Sequence, residues 1–285
     1  MKKLFGTDGI RGVANVYPMT PDMILKVGRA VARVFRSQNG KKTKILIGKD
    51  TRLSGYMIES ALVAGIVSEG ADVLLVGPMP TPAIAHLTKS FAADAGIVIS
   101  ASHNCAQDNG IKIFSADGYK LPDDMEEKIE KLIFEEYVSK DEIINEKVGK
   151  AFRIDDARGR YIEFAKGSIK NHSLKGLKIV LDCANGAAYK TAPYIFPELG
   201  AEVITINDDP NGLNINDNCG ALHPENIKKI ILKEKADLGI CLDGDADRII
   251  ALDEKGEILD GDRLLAIFAN FLKSKGALKN DTVVV

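Results

Sequence analysis

The feature that most constrains this fold is a unit that recurs along the chain: an amphipathic helix, a short apolar strand, a second helix, and another strand introduced by Gly-Ala-acid-Val. In the first copy Ile24, Val27, Val31 and Val34 fall at helical spacing and Lys44 to Gly48 reads as a strand. Ser54 is placed to cap a helix to about Glu69, and Gly70-Ala71-Asp72-Val73 opens a strand to Val76. The second copy has Tyr161, Phe164, Ala165 and Ile169 on its leading helix, a strand from Leu177 to Leu181, a helix to about Leu199, then Gly200-Ala201-Glu202-Val203. Strands separated by helices predict parallel pairing, because a parallel crossover needs about a dozen residues or more. The expected fold class is α/β: tandem repeated α/β/α domains with mixed, mostly parallel sheets.

A third copy opens with Leu264, Leu265, Phe268, Phe271 and Leu272 on one helical face, followed by strand-like Thr282 to Val285. The expected domains are therefore residues 1–148, residues 149–253, and the start of an incomplete third at 254–285. The charged stretch Ser139 to Lys150 is the expected linker, and the polar turn Asp253 to Gly256 precedes the third copy.

A hydrophobic fraction of 45%, a charged fraction of 27% and a net charge of -2 describe a globular chain, with no basic excess to point to nucleic acid. Cys105, Cys183, Cys219 and Cys241 form no C-x-x-C pair, so the expectation is reduced thiols in the cytoplasm. No apolar run approaches the ~18 residues of a membrane helix, and no signal-peptide core follows the N-terminus.

Two segments carry chemistry. Ala95 to Ser100 reads as a buried strand running into Ala101-Ser102-His103-Asn104, which puts the Ser102 hydroxyl at a strand end, where ligands of open α/β sheets gather. His103 and Lys112 flank it, and either can move a proton if its pKa is tuned toward neutrality; Lys112 is the preferred acid/base. Asp243-Gly244-Asp245-Ala246-Asp247-Arg248 follows another strand and sets three carboxylates at alternate positions. Such crowding raises each carboxylate's pKa unless a hard divalent cation relieves it, which points to Mg2+ on Asp243, Asp245 and Asp247. An EF-hand reading of the same run fails, because Arg248 stands where that loop needs glycine and a strand follows at Ile249. Arg248 and Arg11, the latter in the glycine-rich Gly6 to Gly12, are suited to holding phosphate oxygens.

Together, FGTDGIRG at Phe5 to Gly12, ISASHN at Ile99 to Asn104, DNGIK at Asp108 to Lys112 and DGDADR at Asp243 to Arg248 closely resemble the α-D-phosphohexomutase superfamily. Pro210 to Asn216 resembles its glucosamine-phosphate branch. The resemblance implies that Ser102 carries a phosphoryl group between turnovers. It also implies that the substrate is a phosphosugar, glucosamine phosphate, isomerised through a sugar bisphosphate, with Ser102 joining the three aspartates around Mg2+. Mannose or glucose phosphate is the alternative substrate, and an inactive binding module the alternative role; a homo-oligomer is allowed, with no nucleic-acid or membrane partner expected. Two departures stand out: Cys105 replaces the family's usual proline, and Ala221-Leu222 replace two hydroxyl residues. The family's four-domain plan also implies that the sugar-recognition and phosphate-binding loops of its last two domains are not among these residues.

Overall fold

The computed structural model describes residues 4–36, 41–135, 145–170 and 172–284. The first half runs β1 (Ile10–Val13), α1 (Pro21–Val34), β2 (Lys44–Lys49), α2 (Gly55–Ser68), β3 (Asp72–Pro78), α3 (Thr81–Ser90), β4 (Ala95–Ile99), β5 (Asp108–Ser115), α4 (Asp123–Phe134) and β6 (Ala151–Arg153). The second runs α5 (Ala157–Gly167), β7 (Lys178–Asp182), α6 (Ala192–Glu198), β8 (Glu202–Ile206), α7 (Lys228–Glu234), β9 (Leu238–Leu242), β10 (Ile249–Leu252), β11 (Ile258–Leu259) and α8 (Gly261–Ser274).

Two sheets result, ordered β1-β5-β4-β2-β3-β6 and β11-β10-β9-β7-β8. The inner pairs β4-β2, β2-β3 and β3-β6, and β9-β7 and β7-β8, are parallel; the β1, β5, β10 and β11 pairings are antiparallel. The strand period of two sorts side chains onto opposite faces. Ile45 and Ile47 of β2 enter a core with α1, α2 and α4, while Leu46 between them enters a core with α3. In the second sheet Ile179 and Leu181 face α6 and Val180 faces α7. Both domains are thus α/β/α layers with mixed sheets.

The structure shifts several expected limits. β6 pairs with β3, and Ala157 sits in a core of the first domain, so that domain runs past the expected boundary at 148. β11 pairs with β10, carrying the second sheet past 253. The first half of the expected linker, 139–144, lies outside the described residues. α5 does not present the expected Tyr161, Phe164, Ala165 and Ile169 stripe: it buries Ala157 and Ile162, and Ile169 falls beyond its end. The reason is that its ring residues lean on the first domain. Tyr161 packs on the first domain's core, and Phe164 stacks on His86 of α3 with ring centres 3.7 Å apart.

Ser54 precedes α2 without capping it; its hydroxyl accepts from Asn109 Nδ2 at 2.8 Å instead. The third copy yields α8, none of whose residues is buried, while Thr282 to Val284 form no strand and Val285 lies outside the described residues. No helix among the described residues is long and apolar enough to cross a membrane.

Candidate active site

A loop leaves β4 for β5, another leaves β9 for β10, and the two meet. Ser102 sits in the first loop at φ +52°, a left-handed conformation that costs an L-residue about 1–2 kcal/mol. It is buried, and its Oγ donates to Asp243 Oδ2 in the second loop at 2.7 Å. Gly244 permits this approach: a Cβ there would lie 2.6 Å from the Ser102 carbonyl oxygen and 2.7 Å from Asn216 Nδ2.

The second loop is shaped by its own first residue. Asp243 Oδ1 accepts the backbone N–H groups of Asp247 and Arg248 at 3.2 and 3.1 Å, and Ala246 turns through φ +55°. Oxygen atoms of Asp243, Asp245 and Asp247 come within 4.8 Å of one another. Asp245 is buried; its Oδ2 accepts from Thr81 Oγ1 at 2.6 Å and Lys112 Nζ at 2.8 Å, while its Oδ1 is buried without a donor. Lys112 also donates to Asp247 Oδ2 at 3.1 Å. An all-oxygen set of three carboxylates, one with a buried unpartnered oxygen, fits a hard divalent cation.

Charge and burial divide these groups. Burial, reinforced by the Asp245 charge, pushes the Asp243 carboxyl up to about 6, with the Ser102 hydrogen bond opposing. Burial also pushes Asp245 up, but the Lys112 ammonium outweighs it and holds that carboxyl below its ordinary value. Burial pulls Lys112 down, and the Asp245 and Asp247 carboxylates more than reverse this. Lys112 is therefore held as an ammonium by the two carboxylates it faces, not tuned toward neutrality. His103 is pulled below its ordinary value by burial, then by the charges of Arg248 and Arg11, and so stays neutral at pH 7.

The loops thus bring Ser102 and the three aspartates together, with Lys112 bridging Asp245 and Asp247. His103 Nδ1 is buried without a partner, so this atom does not bond the loop. Arg11 pairs with Asp8, and its Nε is buried and unpartnered. Arg248 is largely exposed, its Nε 4.0 Å from Asp247 Oδ1. Sequence reading missed Thr81, which in Pro80-Thr81-Pro82 looks like any helix start. It also missed Arg52 and Asn216, which stand behind the serine loop. Asp50-Thr51-Arg52 follows an apolar strand, so the strand-end logic that found Ser102 applied there too.

Residues 2–139 match the family profile for phosphoglucomutase/phosphomannomutase α/β/α domain I, and residues 159–256 that for domain II. The chain belongs to the phosphoglucomutase/phosphomannomutase family. It is 61% identical over its whole length to the phosphoglucosamine mutase of Geobacter sp. strain M21 and 62% identical to that of Geotalea daltonii. It spans 63% of the length of each of these relatives. Among solved structures, a phosphoglucomutase/phosphomannomutase family protein from Burkholderia thailandensis superposes with a TM-score of 0.80 at 28% identity, over 97% of this chain and 60% of that one.

Proposed function

We propose that this chain is the phosphoryl-carrying part of a phosphoglucosamine mutase. Phosphoserine at Ser102 passes its phosphoryl group to glucosamine 6-phosphate; the resulting bisphosphate reorients and returns its other phosphate, leaving glucosamine 1-phosphate. In the first transfer the phosphoserine O–P bond breaks, a bond from phosphorus to the sugar hydroxyl oxygen forms, and that hydroxyl gives up its proton. The identity to relatives named phosphoglucosamine mutase supports the sugar, with mannose or glucose phosphate as the alternative.

The observation that carries this reading is the 2.7 Å hydrogen bond from Ser102 Oγ to Asp243, joining the nucleophile of one domain to the carboxylates of the other. Asp243, Asp245 and Asp247 would hold Mg2+, which when bound neutralises charge on the transferring phosphoryl group. Lys112, an ammonium, serves as proton donor to the Ser102 oxygen, and His103, a neutral imidazole, as acceptor. Arg11 and Arg248 bind phosphate oxygens.

The test is incubation of the chain with Mg2+ and glucose 1,6-bisphosphate, followed by intact-mass and peptide mapping. One phosphoryl group on Ser102 is the expected result, absent from Ser102→Ala. A chain that takes no phosphate on Ser102 under these conditions overturns the reading.

A further inference from the structure

The loop that presents Ser102 has no regular structure of its own, and Cys105 supplies no fixed φ. It is held by its carbonyl oxygens. Arg52 is fully buried; its Nη2 donates to the carbonyls of Ser102 and Asn104, both at 2.9 Å, and its Nη1 to that of Cys105. Arg52 Nε is bound in turn by Asp50 Oδ2 at 2.9 Å, and Ser100 Oγ donates to the same oxygen at 2.6 Å. From the second domain, Asn216 Nδ2 donates to the Ser102 and Asn104 carbonyls at 2.9 and 3.0 Å. Two carbonyl oxygens are thus gripped from both domains at once.

Nearby contacts tie the same surfaces together. Thr51 Oγ1 donates to the Asn185 carbonyl at 2.6 Å, and Leu53 N–H to the Gly212 carbonyl at 2.9 Å. The residues flanking Arg52 are therefore anchored to the domain that supplies Asn216.

We propose that Arg52 and Asn216 are positioning residues for phosphoryl transfer. The guanidinium of one domain and the carboxamide of the other fix Ser102 in its left-handed conformation, so that docking of the domains sets the reactivity of the serine. The inference rests on Ser102 being the phosphoryl carrier. Released from the clamp, the loop relaxes toward ordinary backbone geometry, and displacement of a reacting atom by about 1 Å costs on the order of 10²-fold in rate. Lysine cannot replace Arg52, because a single ammonium does not span three carbonyls and a carboxylate.

The variants are Asn216→Gly, which accommodates that residue's φ of +58° without the carboxamide, Asn216→Asp, which turns an acceptor toward the carbonyls, and Arg52→Lys. Each is compared with the unaltered chain for the maximal rate of Ser102 phosphorylation by glucose 1,6-bisphosphate, the half-saturating bisphosphate concentration, Mn2+ affinity, and hydrogen exchange in the peptide spanning 100–108. The expected result is a maximal rate lower by about 10- to 100-fold, half-saturation and Mn2+ affinity within about twofold, and faster exchange in that peptide. Asn216→Gly and Asn216→Asp keep the test decisive if Arg52→Lys does not fold. Unchanged rate and unchanged exchange in the Asn216 variants overturn the clamp. An unaltered chain that accepts no phosphate overturns the carrier reading instead, and the exchange measurement still decides whether the clamp holds the loop.

Discussion

The two domains use one topology for two chemistries. Strands β5-β4-β2-β3 and β10-β9-β7-β8 are ordered and directed alike, and in each a central parallel strand ends in a loop that returns as an antiparallel strand. In the first domain that loop presents a hydroxyl; in the second it presents carboxylates. The loops are held differently. Asp243 organises its own loop, since one of its oxygens takes two of that loop's amides while the other meets Ser102. Ser102 has one hydroxyl, which goes to Asp243, so its loop is held from outside.

The residues behind the loops repeat this contrast. After β2, Asp50 accepts the Arg52 N–H at 3.0 Å; after β7, Asp182 accepts the Ala184 N–H at 2.9 Å. The turns match, but position 52 carries a guanidinium that reaches the neighbouring loop, and position 184 carries a methyl. Asp182 spends its other oxygen on the Gly220 N–H at 2.8 Å.

The largest expected effect tests this difference directly. Arg52→Met leaves the fully buried Asp50 without its cation, and breaking such a pair costs about 3–5 kcal/mol. The counterpart Asp182→Asn leaves one of two backbone N–H groups without its acceptor and should cost about 1–3 kcal/mol. Urea unfolding of both variants checks the order, and an Asp182 variant less stable than the Arg52 variant breaks the comparison.

Next is the carboxylate loop. Asp245→Asn removes the charge of the triad member with the unpartnered buried oxygen. Loss of a ligand's outer partner costs about 10- to 100-fold in metal affinity, so loss of the ligand charge itself should cost about 100-fold or more, read by calorimetric titration with Mn2+. Thr81→Ala, which removes the hydroxyl donating to the same carboxylate at 2.6 Å, should fall within that smaller range.

Much of this arrangement was legible in sequence, and the parts that were not share a cause. Repeat order and strand ends follow from local periodicity, so β2, β4, β7 and β9 were found, and with them the residues leaving β4 and β9. Ser102 and Asp243 could be paired only through resemblance, because 141 positions separate them and no local pattern encodes their contact. The α5 face was misread because its ring residues pack on the preceding domain, and periodicity reports only that a face is buried, not by what. Asn216 and Thr81 are polar residues whose partners lie in the other domain, and the carboxylates that keep Lys112 charged are almost as far from it in the chain.

The smallest expected effect joins the two loops. Asp243 is raised from 3.8 to about 6 in the folded, metal-free chain, so between those values the folded chain holds a proton that the unfolded chain has released. Its contribution to stability is present at the acid end and lost as pH rises through about 6; that of Asp245, whose pKa is lowered, is lost instead as pH falls. A cation must displace the Asp243 proton, so Mn2+ affinity should fall about tenfold between pH 7 and pH 5, with a midpoint near 6. Because the Ser102 hydroxyl, ahead of the Arg248 N–H, holds Asp243 down, Ser102→Ala should move that midpoint upward. A midpoint unmoved by Ser102→Ala would mean that the two loops, though in contact, do not share their electrostatics.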